Sequence, residues 1–365
     1  MSTELIIALI KSGIALSVLL TNTILLIWLE RKIVAGMQSR VGPDRAGPFG
    51  ILQTLADAIK LLLKEQIMPL KADRAMYLLA PIIALVPSFL IFMIIPLGPD
   101  LNIEVAGKNY VVDLVGADLN VGVLYFLALS SIAVYSVVLA GWSSGSKYPL
   151  LGGVRASAQM ISYEAAMGLS LVPVILYSGS LSLVDIVDSQ SGNLSSPIPF
   201  LDSVVSFIPK WNVFPQFVAF GIFFIAAVAE VNRAPFDLVE AEQELVGGFH
   251  TEYSGFRFAM FFLAEYINMF NMCAITATFF LGGWLGPTFA GVLPPFLSAI
   301  MPTIWLGVKT FGLLFVYFWI RATLPRLRYD QLMELGWKRL IPLSLIWLMI
   351  SSIVLGIREF GLPWS

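Results

Sequence analysis

Apolar residues run along this chain in blocks long enough to cross a bilayer, which takes ~20 mostly apolar residues. Eight blocks are legible, at 5–29, 78–97, 121–140, 158–178, 214–231, 258–281, 304–320 and 341–357. They predict an all-α integral membrane protein, a single transmembrane domain over residues 1–365 with about eight transmembrane helices. The fifth and eighth blocks are short. The first is too long for a signal peptide and lacks a basic leader and a small-residue cleavage site. One segment has a different period. Ile51, Leu52, Leu55, Ile59, Leu62 and Leu63 follow helical spacing, with Gln53, Asp57, Lys60 and Lys64 on the opposite stripe. A helix over 51–64 is about 21 Å long, too short to span, so it is expected to lie in the interface. Two Gly-Pro pairs, at 42–43 and 47–48, make the preceding stretch a stiff turn.

Composition narrows the class. The chain is 58% hydrophobic and 13% charged, against ~25% charged in an ordinary soluble chain. This excludes a water-soluble enzyme, a disordered regulator and a nucleic-acid binder. One cysteine, Cys273, and one histidine, His250, exclude a disulfide, a cysteine-ligated cluster or a multi-histidine metal site built by this chain alone. No redox centre and no metal site are legible.

Basic residues give the expected orientation. The loops 30–77, 141–157, 230–257 and 321–340 hold 17 Lys and Arg, and the three loops on the other side hold only Lys108 and Lys210. The first set is therefore expected on the inner side, with both termini outside. The outer stretch 179–213 reads as a solvated connector.

Acids concentrate in one inner loop. Glu230, Asp237, Glu240, Glu242, Glu244 and Glu252 lie with only Arg233 and Arg257 to offset them. Pro235 ends the preceding helix, and Asp237 is a plausible N-cap for a short helix at about 238–246, stopped by Gly247 and Gly248. Crowded, weakly solvated carboxylates raise one another's pKa and share protons, which suits a proton path. A solvated acidic loop that binds a basic partner is the other reading. Charges inside spans favour the first. Glu265, Glu164, Glu230 and Lys309 lie where an ionisable group costs at least ~2.5–3.5 kcal/mol and is functional by default. Lys11 reads as a snorkelling side chain, and Lys309 as a partner in an ion pair or proton path. The 51–64 helix is either a lipid-surface anchor or a lintel over an opening, with Asp57 and nearby arginines meeting a partner or a ligand headgroup.

Several inner-side motifs resemble the family of the largest quinone-module membrane subunit of respiratory complex I, NADH-quinone oxidoreductase. Its mitochondrial counterpart is NADH–ubiquinone oxidoreductase chain 1. The motifs are Glu30–Lys32 (ERK), Arg40–Glu65, Leu150–Arg155 (LLGGVR) with Ala158–Glu164 (AQMISYE), Ala229–Asp237 (AEVNRAPFD) and Glu240–Gly248 (EAEQELVGG). Thr251–Gly255 (TEYSG), Ala264–Tyr266 (AEY) and Arg321–Gln331 (RATLPRLRYDQ) complete the set. The resemblance covers about residues 28–345. Val239 stands where bacterial relatives often have Pro, and Ser130 and Ser131 stand where some carry a carboxylate.

The resemblance implies a membrane subunit of a proton-translocating NADH:quinone oxidoreductase in a bacterial plasma membrane or organellar inner membrane. Such a subunit docks the hydrophilic arm and forms the membrane side of the quinone cavity. Soluble quinone-module subunits form the rest, one carrying the terminal iron–sulfur cluster. FMN and the other clusters belong to partners, quinone is the substrate at the interface, and antiporter-like and small membrane subunits lie alongside. The resemblance assigns Arg40, Arg45, Asp57, Arg233, Asp237, Glu240, Glu242 and Glu252 to the cavity and its funnel. It assigns Glu164, Glu230, Glu240, Glu242, Glu244 and Glu265 to the proton path. Other readings are a homologous subunit of a ferredoxin-linked complex or membrane-bound hydrogenase, and a stand-alone ion transporter. The lack of an internal repeat disfavours the transporter.

Overall fold

A computed structural model describes residues 3–105, 108–193, 209–237, 246–287 and 294–360. Its long elements are α1 (Thr3–Met37), α3 (Arg74–Met93), α4 (Gly122–Ser143), α5 (Lys147–Ser178), α8 (Gly255–Phe280), α9 (Pro295–Thr323) and α11 (Ile341–Phe360). Shorter helices are α2 (Gln53–Leu63), α6 (Leu183–Ser189), α7 (Phe217–Glu230) and α10 (Tyr329–Glu334). Among the described residues, seven helical stretches are long and apolar enough to cross a membrane; the last is α10 and α11 joined through a π-helical turn at Leu335–Leu340. The fifth expected span is α7, which has only 14 residues.

The packing explains which helices tolerate polar residues. α3 lies on α4, α4 on α5, α5 on α7 and α11, and α8 on α3 and α9. α8 is the most enclosed of the long helices, and α1 and α11 are the most open. On α11, Leu345, Ile346, Met349, Ile353 and Val354 face outward, as an apolar solvent requires. The centre holds Phe126, Tyr163, Phe223, Phe279, Phe280 and Phe318, all buried.

The end where α1 finishes and α3, α5 and α8 begin carries the basic loops, and is called here the basic end. Backbone bonds stitch it. Asp73 caps α3 by accepting from the Ala75 and Met76 amides at 3.1 and 3.3 Å, while its own N–H donates to Ser143 O at 3.0 Å. Gly152 on α5 touches the turn at Gly248; a Cβ there would lie 2.7 Å from the Gly248 Cα.

Helix ends differ from the hydropathy blocks. α1 continues past residue 29 to Met37 and α5 starts at Lys147, so Glu30, Arg31, Lys32 and Arg155 are helical and not in loops. Helix hydrogen bonding does not stop where apolar sequence stops. The connector 179–213 is not wholly solvated. Its α6 buries Leu183, Ile186 and Val187, and buried Gln190 donates to Thr278 O at 2.9 Å. An antiparallel hairpin, β1 (Leu101–Val105) with β2 (Lys108–Val112), lies between α3 and α4. Lys309 is neither ion-paired nor on a carboxylate path among the described residues. It donates to the Leu281, Gly283 and Leu285 carbonyls at 2.6, 2.9 and 2.6 Å, with its ammonium over Trp211. Lys11 lies 3.9 Å from Asp113. The expected helix at 238–246 falls largely outside the described residues.

Gly152→Ala is expected to force apart α5 and the Gly248 turn, costing about 1–3 kcal/mol as other overpacked contacts do. The thermal midpoint of the protein in detergent should fall. Gly221→Ala on α7, with open space at its Cβ, should not lower it; equal midpoints for the two variants would contradict the packing argument.

Candidate functional site

The polar residues of the basic end converge because α7 stops early. After Glu230 the chain turns through Asn232, at φ 53°, and doubles back. Arg233 N–H donates to Val228 O at 3.3 Å, and Phe236 N–H to Arg233 O at 2.8 Å. Gln159 of α5 clamps the turn, donating to Ala229 O at 2.9 Å and Phe236 O at 2.8 Å. Leu327 N–H closes it from the other side, onto Pro235 O at 3.1 Å. The fold therefore turns Arg233 inward.

Arg233 is buried, with 6% of its surface exposed. Its Nη1 lies 3.3 Å from Glu30 Oε1 on α1, and its Nε lies 2.8 Å from Glu265 Oε1 on α8. The guanidinium also stacks on Tyr266, 4.4 Å from the ring centre. Arg321, at the end of α9, pairs with the same Glu30 oxygen. Two acids and two arginines from four segments thus neutralise one another in a buried cluster. Beside it, Arg326 donates to buried Asp237 at 3.1 Å.

Glu164 lies midway along α5, where Ser130 donates to it at 3.3 Å and Ser131 donates as well. The two serines that replace a carboxylate in some relatives therefore meet Glu164 directly. Glu230 is buried at the end of α7, near enough to Glu164 to feel its charge. One Glu230 oxygen has no hydrogen-bond partner among the described residues.

Three cavities surround this cluster. An apolar chamber of about 340 Å³ lies between α1, α2 and α8, lined by Ile24, Ile27, Thr54, Leu62, Met260 and Leu263 among others. A polar chamber of about 510 Å³ is lined by Glu30, Gln38, Arg40, Tyr266 and Arg321. Arg31 and Phe262 line both, so the two chambers adjoin. On the far side of Arg233, a smaller cavity of about 60 Å³ is bordered by Glu230, Asn232, Asp237, His250, Glu265 and Asn268. That is room for a few waters with polar partners.

The interfacial segment forms as α2, two residues shorter at its start and one at its end than 51–64. Asp57 accepts from Arg31 at 2.6 Å and from Gln53 at 3.0 Å. Burial pushes the Asp57 carboxyl up, but those hydrogen bonds outweigh it and hold the carboxyl below its ordinary value. α2 is thereby pinned to α1 as the wall of the apolar chamber.

Other sequence-predicted residues are scattered. Arg40 is exposed, paired with Gln38 at the rim of the polar chamber. Arg45 is exposed in the loop before α2. Glu252 offers its backbone carbonyl to the Tyr77 hydroxyl at 2.7 Å. Glu240, Glu242 and Glu244 lie outside the described residues. Sequence reasoning did not single out Glu30, Arg321, Gln159 or His250 as site residues. A charged ERK run at the end of an apolar block was the available signal for Glu30. No three His, Cys, Asp or Glu side chains gather to hold a metal among the described residues.

A protein-family description, NADH dehydrogenase, matches residues 10–352. Over 362 residues, 97% of this chain and 98% of the relative, the chain is 47% identical to the second H-type subunit of NADH-quinone oxidoreductase from Koribacter versatilis (strain Ellin345). A helical membrane bundle, a charged cluster at one end and a likeness that runs nearly end to end converge on one assignment: the chain belongs to the NADH dehydrogenase family, among the H-type membrane subunits of complex I.

Proposed function

We propose that this chain forms the membrane side of the quinone cavity in an NADH-quinone oxidoreductase, docks the soluble arm at its basic end, and links quinone reduction to proton translocation. The observation that carries the reading is the pair of adjoining chambers. An isoprenoid tail needs an apolar channel open to lipid, and the space between α1, α2 and α8 offers one. A quinone headgroup needs hydrogen-bond donors at the channel's inner end, and Arg31, Arg40, Tyr266 and Arg321 border the polar chamber there. Electrons arrive from a partner's iron–sulfur cluster, with FMN further along the soluble arm.

This chain contributes position and charge. Quinone reduction consumes protons and changes the charge at the polar chamber. Glu30 borders that chamber and shares Arg233 with Glu265. A charge change at Glu30 therefore alters the hold of Arg233 on Glu265, which borders the next cavity with Glu230. Glu164 and its serines continue the series. Glu240, Glu242 and Glu244 complete the acidic loop in the sequence.

Docking has its own support. At the basic end Val41, Phe49, Leu63, Ile67 and Leu70 are exposed, Leu70 fully. A run of large apolar side chains beside basic loops suits burial by protein. The excess of Lys and Arg there orients this end inward, with both termini outside and the antiporter-like subunits beside the bundle. Cysteine probes at positions 49 and 70 should label several-fold faster in membranes stripped of the soluble arm than in the intact complex. Equal rates would argue against docking at this surface.

Arg45→Ala and Asp57→Ala should lower quinone turnover more than they lower the amount of assembled complex, measured as activity per unit of purified assembly. Proportional losses would instead make α2 a membrane anchor. Glu265→Gln keeps shape and hydrogen bonding but removes proton exchange. It leaves buried Arg233 short of one charge partner, so it should assemble with a lowered thermal midpoint and lose most proton uptake per electron in reconstituted vesicles, whereas an unchanged ratio and rate would remove Glu265 from the path.

A further inference from the structure

The small cavity beyond Arg233 has one lining residue that the carboxylate series does not use. His250, the single histidine of the chain, sits in the 3-10 turn Gly248–His250 between α7 and α8. Phe249, Phe258 and Phe261 surround its ring, with centroids 3.8, 5.6 and 5.4 Å away. Three aromatic side chains are an ordinary setting for a fourth, and a phenyl ring would fill the place. Yet the residue is only part-buried, and the surface it keeps open borders the cavity shared with Glu230, Asp237 and Glu265.

No hydrogen bond from the described residues satisfies the imidazole, so water in the cavity is its natural partner. The cavity has room for a few waters, and its other polar walls are carboxylates, two amides, Asn232 and Asn268, and Ser136, whose hydroxyl donates to Ala133 O at 2.6 Å. Ionised carboxylates only accept hydrogen bonds, and an amide does not exchange its protons readily. A neutral imidazole supplies both a donor and an acceptor on one rigid ring.

We propose that His250 is a member of the proton path: a neutral imidazole that carries the hydrogen-bond chain across the interior cavity between Glu265 and Glu230. This rests on the function proposed above and adds a residue to it. One ring nitrogen accepts a proton from the water on the Glu265 side while the other releases its own to the water on the Glu230 side. One proton enters, one leaves and no charge remains on the ring; rotation of the ring about its Cβ–Cγ bond then restores the starting arrangement for the next proton. Burial supports the neutral form, since it pushes the imidazole pKa down to about 3. Protonation is lost as pH rises through that value, so the ring stays uncharged across the neutral range and does not repel Arg233.

The test uses the whole complex in vesicles, with His250→Gln and His250→Leu beside Glu265→Gln. Assembly, quinone turnover without a proton gradient, and proton uptake per electron are read together. His250→Gln keeps a donor and an acceptor but lacks a second ring nitrogen for relay. It should assemble and turn over quinone with proton uptake reduced roughly a hundredfold, the lower end of the range a positioned proton-transfer group contributes. His250→Leu should lose at least as much. Normal uptake in both variants while Glu265→Gln is defective would overturn the role of His250 alone. Normal uptake in all three would overturn the carboxylate path itself. Failure of both His250 variants to assemble would make the ring a packing residue and also overturn the proposal.

Discussion

A guanidinium buried among helices has to be neutralised, and Arg233 organises this protein around that requirement. Removing one partner from a buried pair costs about 3–5 kcal/mol, so the positions of Glu30 and Glu265 are not free. Glu30 fixes the end of α1, Glu265 the early turns of α8, and Arg321, by sharing Glu30, the end of α9. The turn carrying Arg233 is itself held by Gln159 of α5 and by the 321–340 segment through Leu327. One charge therefore registers five parts of the chain against one another. It also separates the polar chamber from the inner cavity, so the residue that holds the bundle together lies on the line between them.

The two ends of the bundle solve the same problem differently. At the end away from the basic loops, Lys309 is satisfied by carbonyls at the finish of α8 and by the face of Trp211. Its partners are fixed backbone dipoles, which do not gain or lose protons. At the basic end the partners are carboxylates, which do. The first arrangement is suited to holding helices, and the second to answering a change of charge. The hydrogen bonds from Gln190 and Asn212 to the last turn of α8 reinforce the first.

Hydropathy made the long helices legible, and the basic loops made their expected direction legible, because both properties are summed over many residues. The ends of α1 and α5 were not legible. Their polar extensions continue a helix whose hydrogen bonds are local, while the burial that shelters Glu30 comes from α8 and α9. Glu30 lies 203 residues from Arg233 and 291 from Arg321 along the chain, so no local pattern announces the cluster. The motif AEVNRAPFD marked the turn as unusual, but not that Arg233 points inward. The role of Lys309 was misread because a lysine in an apolar block suggests an acid as partner, and backbone carbonyls at a helix end have no sequence signature. The acidic loop was conspicuous by composition alone.

The shortness of α7 has an electrical consequence. Fourteen residues make a helix of about 21 Å, against a hydrocarbon core of ~30 Å. Its last residue, Glu230, lies within reach of the charge of Glu164, which is midway along α5. Polar backbone and water-sized space thus extend from the basic end toward the middle of the bundle, which thins the insulating layer there. A voltage across the membrane falls mainly over what remains insulating. The full potential is worth about 2.3 kcal/mol per elementary charge per 100 mV. On the function proposed above, a proton that reaches Glu230 through the polar region would have crossed little of that drop, and most of the electrical work would lie on the side of Glu164 away from the basic end.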